Sequence, residues 1–333
     1  MPARLAELEP GSFAGEAARN FESVSDAGFR ATFNAVGARL LALEFPDGFD
    51  AVAGPERIED ILESEVYAGA ICGRFANRIR KGHAVIAGKT HQLTVNEPPN
   101  HLHGGTMAFH RRNWAAEIVE DTLVFSLASP DGDEGYPGEL SVRCVYRFDG
   151  PTLICELEAT TSEATIVNLT NHAYWNLSGA ETVADHYLEL SAQTWTPTNA
   201  ELIPTGAISF VSGTNYDFRE PTLLEEALAD GTGFDSNFCL EGERHTLHHA
   251  ATLSAAGRAF DLFTTEPGLQ LYTAGHHGPG FKGKKGQSLR RFGSVALEPQ
   301  NWPDAPNQPS FPAALLAPGE TYRHRIEWRF RVG

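Results

Sequence analysis

The chain has 333 residues, with 26 basic against 43 acidic side chains and a formal net charge of −17, which argues against nucleic acid or another polyanion as partner and suits a neutral ligand. Residues 1–10 lack an apolar signal core and no run approaches the roughly 18 to 20 apolar residues of a membrane span, so the expectation is a cytoplasmic protein with no membrane partner. Cys72, Cys144, Cys155 and Cys239 are widely spaced, form no CxxC pair and lie in or beside apolar runs, which reads as buried free thiols in a reducing compartment.

Residues 21–45 are small and apolar residues broken by glycine, consistent with short strands joined by turns, and Pro46-Asp47-Gly48 punctuates them. Residues 56–65 can form one or two helical turns with Ile58, Ile61 and Leu62 on one side. Arg74 and Arg78, in Gly73-Arg74-Phe75-Ala76-Asn77-Arg78-Ile79, are costly to bury unpaired, so each faces a ligand or anchors a loop. The prolines and glycines of residues 96–105 fix a loop in which His101 and His103 sit two apart. That is a possible metal half-site, but no carboxylate or cysteine follows at a zinc-like spacing. The acids of residues 129–138 lack the spacing of a calcium-binding EF-hand, which favours a rigid surface loop.

Leu140, Val142, Cys144, Tyr146 and Phe148 alternate with Ser141, Arg143, Val145 and Arg147. Asp149-Gly150-Pro151 then turns the chain into a second alternating run through Glu158, and the two make a hairpin. Residues 165–177 begin as a β-branched strand in which alternation puts Val167 and Leu169 on one face and Asn168, Thr170 and His172 on the other. His172 thus ends a polar face that either meets a sugar or satisfies backbone groups. Residues 185–190 read as a strand, residues 195–206 as a proline-punctuated connection, and residues 221–229 as a short helix with Pro221 in its first turn and Gly231 after it. Residues 266–272 form a strand carrying Gln270. Lys282, Lys284, Lys285, Arg290 and Arg291 cluster in a Gly-rich segment that is a solvated loop or a phosphate reader. Val295 and Leu297 point inward and leave Glu298 on the opposite face at a strand end. Tyr322, His324, Ile326, Trp328, Phe330 and Val332 alternate with Arg323, Arg325, Glu327, Arg329 and Arg331, core on one side and wet on the other. Many short strands, Gly and Pro turns and little helix predict an all-β fold, a large antiparallel sandwich or barrel, with residues 1–333 as one domain.

Five motifs fall in one order: Gly73–Ile79 as above, Asn100-His101-Leu102-His103-Gly104-Gly105, residues 131–138, Asn168-Leu169-Thr170-Asn171-His172-Ala173-Tyr174-Trp175-Asn176-Leu177 and Leu297-Glu298-Pro299-Gln300-Asn301-Trp302-Pro303-Asp304. Together they resemble the aldose 1-epimerases, or galactose mutarotases, from about Phe33 to the last strand. The resemblance implies a β-supersandwich with few short helices, a monosaccharide substrate, and neither metal nor organic cofactor; a monomer or homodimer fits it. Carried onto matching positions, it makes Glu298 the general base and His172 the general acid, with Asn77, Arg78, His103, Tyr174, Asp235 and Gln270 on sugar hydroxyls. Ser236, Gln308, Asn199 and Ala207 depart from the family pattern and bear on substrate preference. Anomer exchange needs the C1 hydroxyl proton removed and the ring oxygen protonated, and a histidine, with a reference pKa near 6.5, suits the donor role. His172 and Glu298 should therefore face one cavity, about a sugar-ring width apart. The rivals are an enzyme for phosphorylated or acidic sugars, a silent sugar-binding regulator on the same scaffold, and a metal hydrolase using His101, His103, His276 and His277.

Overall fold

The computed structural model describes residues 4–62, 67–278, 281–284 and 289–333. Two large antiparallel sheets face each other. The nine-stranded sheet runs, in spatial order, Ala115–Val119, Thr122–Ser129, Leu140–Asp149, Thr152–Thr161, Tyr322–Val332, Arg258–Thr264, His248–Ala255, Tyr187–Leu190 and Thr222–Leu223. The seven-stranded sheet runs Ser209–Phe210, Ala192–Trp195, Asp235–Leu240, Gly268–Tyr272, Val295–Gln300, Tyr174–Trp175 and Val52–Ala53. A four-stranded meander of Arg4–Phe13, Glu16–Val24, Arg30–Asn34 and Arg39–Glu44 packs beside them.

Alternation builds the space between the sheets. Leu140, Val142, Cys144, Tyr146 and Phe148 enter one buried cluster with Trp328, Phe330 and Phe260 from their own sheet and Trp175, Leu269, Leu271, Val295 and Leu297 from the other. Trp175 makes ring contacts at 4.8 to 6.0 Å with Phe260, Trp328 and Phe330, stitching the two layers. The Gly150-Pro151 hairpin forms as predicted, with Asp149 opposite Thr152. All four cysteines are buried free thiols.

Several elements differ from the sequence reading. Residues 165–177 are not one strand but three two-residue pieces, Thr165–Ile166, Thr170–Asn171 and Tyr174–Trp175, each pairing with a different partner. Both faces are buried, so alternation there separates two interiors and not an interior from water. Glu298 lies within the Val295–Gln300 strand and does not end it. The short helix is Leu224–Ala227, and Pro221 precedes it because Thr222–Leu223 first pairs with Tyr187–Leu190. Ile58–Leu62 forms a 3-10 turn with Ile58 and Ile61 buried, and residues 63–65 of that expected helix lie outside the described residues. Val332, expected on the core face, is exposed at the chain end.

Candidate active site

On the face of the seven-stranded sheet turned away from the main core lies a cavity of about 260 Å³. Strand register builds its floor. Asp235 pairs with Tyr272, Tyr272 with Ala296 and Ala296 with Tyr174 in one row. Two residues along, Asn237, Gln270 and Glu298 make the next row. Paired residues, and residues two apart, share a face, so Asp235, Tyr272, Tyr174 and Glu298 reach the cavity while Leu271, Leu297 and Trp175 turn into the core.

His172 stands between two of the short strands, fixed by its own backbone: its N–H donates to the Ala70 carbonyl at 2.9 Å and its carbonyl accepts from Gly69 N–H at 2.8 Å. Its Nε2 lies 3.5 Å from Glu298 Oε1, and the two side chains are 4 % and 2 % exposed. The expected sugar-ring spacing is corrected to near contact. The reason is strand register: Tyr174 pairs with Ala296, and the same antiparallel register carried two residues along sets His172 beside Glu298. His172 Nδ1 and Glu298 Oε2 are buried without hydrogen-bond partners.

Arg78–Ile79 pairs with His101–Leu102, and this small ladder sets the polar wall. Arg78 forms a two-pronged bond with Glu97 at 2.7 and 2.8 Å and reaches Asp235 at 3.3 Å. Asn77 and His103 both take left-handed backbone, φ +66 and +48, and hold each other there: Asn77 N–H donates to His103 Nδ1 and His103 N–H to the Asn77 carbonyl, each at 3.1 Å. The next residue has to be glycine, since a Cβ on Gly104 would lie 1.9 Å from the Gly73 carbonyl oxygen. Gln270, expected on a sugar hydroxyl, donates to Asp235 Oδ1 at 2.6 Å and keeps its own Oε1 buried without a partner.

The two arginines have separate fates. Arg74 anchors a loop, bonding Ser129 and the carbonyls of Pro130, Pro137 and Gly138, while Arg78 faces the cavity. The acids of residues 129–138 are engaged by protein donors, Asp131 by Gly138 N–H, Asp133 by Arg112 and Glu134 by Met107 N–H. No calcium loop is needed to explain them. Asn168 and Asn171 face backbone and not ligand. Asn168 bonds the carbonyls of Ala76 and Asn301 and accepts from Asn301 N–H, and Asn171 bonds the Gly69 carbonyl.

Burial dominates the electrostatics. It drives His172 down to about 3. It also holds Glu298 well above the usual carboxylate range, with Asp235 adding to the rise and Arg78 opposing it. His103 is lowered by burial and then by His172 and Arg78. The expectation that His172 titrates near 6.5 is therefore corrected: buried, the ring disfavours its charged form.

One group among the described residues could hold a metal, His103, His172 and Glu298, whose ligand atoms lie within 4.8 Å of one another. The donor set fits poorly. His103 Nδ1 already accepts Asn77 N–H, so the neutral ring carries its proton on Nε2, a donor and not a lone pair. The HxH half-site is split, because His101 is buried against the Thr94 carbonyl and Tyr136 hydroxyl, both at 2.6 Å.

Residues 21–329 match the family model described as Aldose 1-epimerase. The chain belongs to the aldose 1-epimerase family. It is 43 % identical over 309 residues to human galactose mutarotase, covering 89 % of each chain, and 33 % identical over 323 residues to aldose 1-epimerase of Escherichia coli K12, covering 92 % of this chain and 93 % of that one. Among solved structures, an aldose epimerase homologue from C. elegans superposes with a TM-score of 0.86 at 31 % identity, over 92 % of this chain and 97 % of that one.

The four departures from the family pattern lie off the cavity. Ser236 alternates onto the core side opposite Leu271. Gln308 bonds Asp304 and the Pro204 carbonyl, Asn199 caps a turn by accepting from Glu201 and Ile203 N–H, and Ala207 is exposed. The basic segment is likewise engaged elsewhere: Lys282 with Asp60, Lys284 with Asp50, Arg290 with Glu181, and Arg291 with the Gly231 carbonyl. Lys285 lies outside the described residues. Sequence reasoning did not place Tyr67, Glu97, Tyr272, His277 or Phe281 on the wall. Glu97 had a signal, because a buried Arg78 demands a carboxylate; the aromatic residues had none stronger than their type.

Proposed function

We propose that the protein is an aldose 1-epimerase that interconverts the α and β anomers of a free aldohexose such as galactose or glucose. The observation that carries this is the His172–Glu298 pair, 3.5 Å apart in one polar cavity. Glu298 takes the C1 hydroxyl proton and His172 protonates the ring oxygen. The ring opens to the aldehyde, C1 turns about its bond to C2, and closure on the other face returns both protons. Asn77, Arg78, His103, Tyr174 and Asp235 hold the remaining hydroxyls, and Gln270 braces Asp235. His103, with its proton on Nε2, acts as a donor to the sugar.

Carboxylates flank Arg78, and the described cations of the basic segment are paired, which weighs against a phosphorylated substrate. The main core cluster, drawing on residues from Phe21 to Phe330, supports a single domain. Among the described residues no helix is long and apolar enough to cross a membrane, and the buried free thiols support a reducing, cytoplasmic setting.

Polarimetry on freshly dissolved α-galactose and α-glucose tests the activity. Glu298→Gln and His172→Ala should each lower the rate about 100- to 10,000-fold. Wild type no faster than buffer on either sugar would sink the assignment, and full activity in either variant would sink the roles.

A further inference from the structure

The segment joining Gly268–Tyr272 to Val295–Gln300 lies against the cavity and brings His277 to its wall. Its described residues are tied at two points. The Lys284 ammonium bonds the carbonyls of Leu41 and Val52 at 2.6 and 2.7 Å and Asp50 at 2.5 Å, and His277 N–H closes a turn on the Ala274 carbonyl at 3.1 Å.

His277 is 7 % exposed. Three rings hold it, Tyr174 at 4.9 Å, Phe281 at 5.4 Å and Tyr272 at 6.3 Å between centroids. Its Nδ1 is buried with no hydrogen-bond partner. A buried polar atom left unsatisfied is costly. The two other wall groups in that condition, His172 and Glu298, are those that meet the reacting atoms in the mechanism above. Burial, with His276 adding, lowers His277 to about 4, so near neutral pH the ring presents one donor and one acceptor, the complement of a hydroxyl.

Tyr174 separates the two histidines, 4.9 Å from His172 on one side and 4.9 Å from His277 on the other. His277 is thus one aromatic ring removed from His172. With Glu97, Asp235 and Glu298 on the same wall, an uncharged hydroxyl suits this position and a phosphate does not.

We propose that His277 is a specificity-determining residue that hydrogen-bonds one hydroxyl, remote from C1, of a neutral pyranose. The proposal rests on the mutarotase reading above. It assigns a substrate contact to a residue whose sequence context pointed only to a metal pair.

The test compares wild type, His277→Phe and His277→Asn on galactose, glucose and their singly deoxygenated analogues. Loss of one neutral hydrogen bond should raise KM about 3- to 10-fold in His277→Phe, with kcat changing less than about twofold. The penalty should vanish for the one analogue lacking the partner hydroxyl, and His277→Asn should recover part of it. Unchanged KM on every sugar, a shift equal across all analogues, or a fall in kcat at constant KM would overturn the contact. Calorimetric binding of galactose to wild type and His277→Phe reads the same ratio without turnover. Failure of wild type to turn over would therefore count against the mutarotase reading alone, and equal galactose affinities would count against His277.

Discussion

Glu298 and His172 share a burial that pushes them in opposite directions, and this fixes how activity should follow pH. In the proposed mechanism the step needs one proton on the pair, in the imidazolium–carboxylate form, and the two titrate as a unit. With His172 lowered to about 3 and Glu298 raised well above its ordinary range, the pair keeps one proton across the span between them, held mainly on Glu298, and the reactive form is reached by proton transfer within the pair. Falling pH adds a second proton only near the lowered His172 value. Rising pH removes the single proton as it passes the raised Glu298 value. The expected kcat/KM profile therefore has no acid-side loss around 6.5, where an unperturbed histidine would titrate, and it declines on the alkaline side of the carboxyl. Rates measured from pH 5 to 9 on protein that stays folded check this, and a fall centred near 6.5 on acidification would contradict it. His172 and Glu298 were themselves legible in sequence because alternation and the motif order singled them out. Their near contact was not, since a period-2 pattern gives a face and no distance.

At the level of the elements, the site is assembled from chain pieces too short to stand alone, so cross-ties replace long ladders. Asn168 is the main one. It links the Ala76 segment that leads to Asn77 and Arg78, the segment that leads to His172, and the Asn301 turn that follows the Glu298 strand, through bonds of 3.1, 3.2 and 2.8 Å. Asn168→Ala leaves two buried carbonyls and a buried N–H without partners. At about 1–3 kcal/mol for each such group, the urea midpoint should drop by an amount equivalent to several kcal/mol, and kcat should fall with it because the acid and base ride on different tied segments. An unchanged midpoint would show that the ties are redundant. Alternation leaves Asn168 on a polar face that either meets a ligand or satisfies backbone, and the second holds, because the alternation rule assumes one wet face and here both faces are buried. Long hairpins such as Leu140–Asp149 with Thr152–Thr161 obeyed the rule because one of their faces is wet.

Among the described residues, seven histidines are buried with lowered pKa values. His101 and His277 fall to about 4, His172 and His324 to about 3, His103 and His110 well below 6.5, and His186 below 6.5, all first by burial. In the unfolded chain these rings bind protons below about 6.5 that the folded ones refuse. Their contribution to stability is thus complete above that pH and is lost as pH falls toward the folded values, up to roughly 1.4 kcal/mol per pH unit for each ring. The melting temperature should drop on the order of 10 °C between pH 7.5 and 5. Calorimetry showing an equal or higher Tm at pH 5 would contradict this. The global β architecture was readable from turns and alternation. How deeply the histidines lie was not, because depth follows from how the sheets and their connections close over one another and no local pattern encodes it.

The Glu298 strand is hydrogen-bonded along both edges, by Gly268–Tyr272 on one side and Tyr174–Trp175 on the other. The ladder to Gly268–Tyr272 runs past Glu298 itself, opposite Gln270, whereas the ladder to Tyr174–Trp175 covers only Val295 and Ala296. The backbone carrying the carboxylate is thus held from a sheet interior, and its amides should be among the last to open in native-state hydrogen exchange.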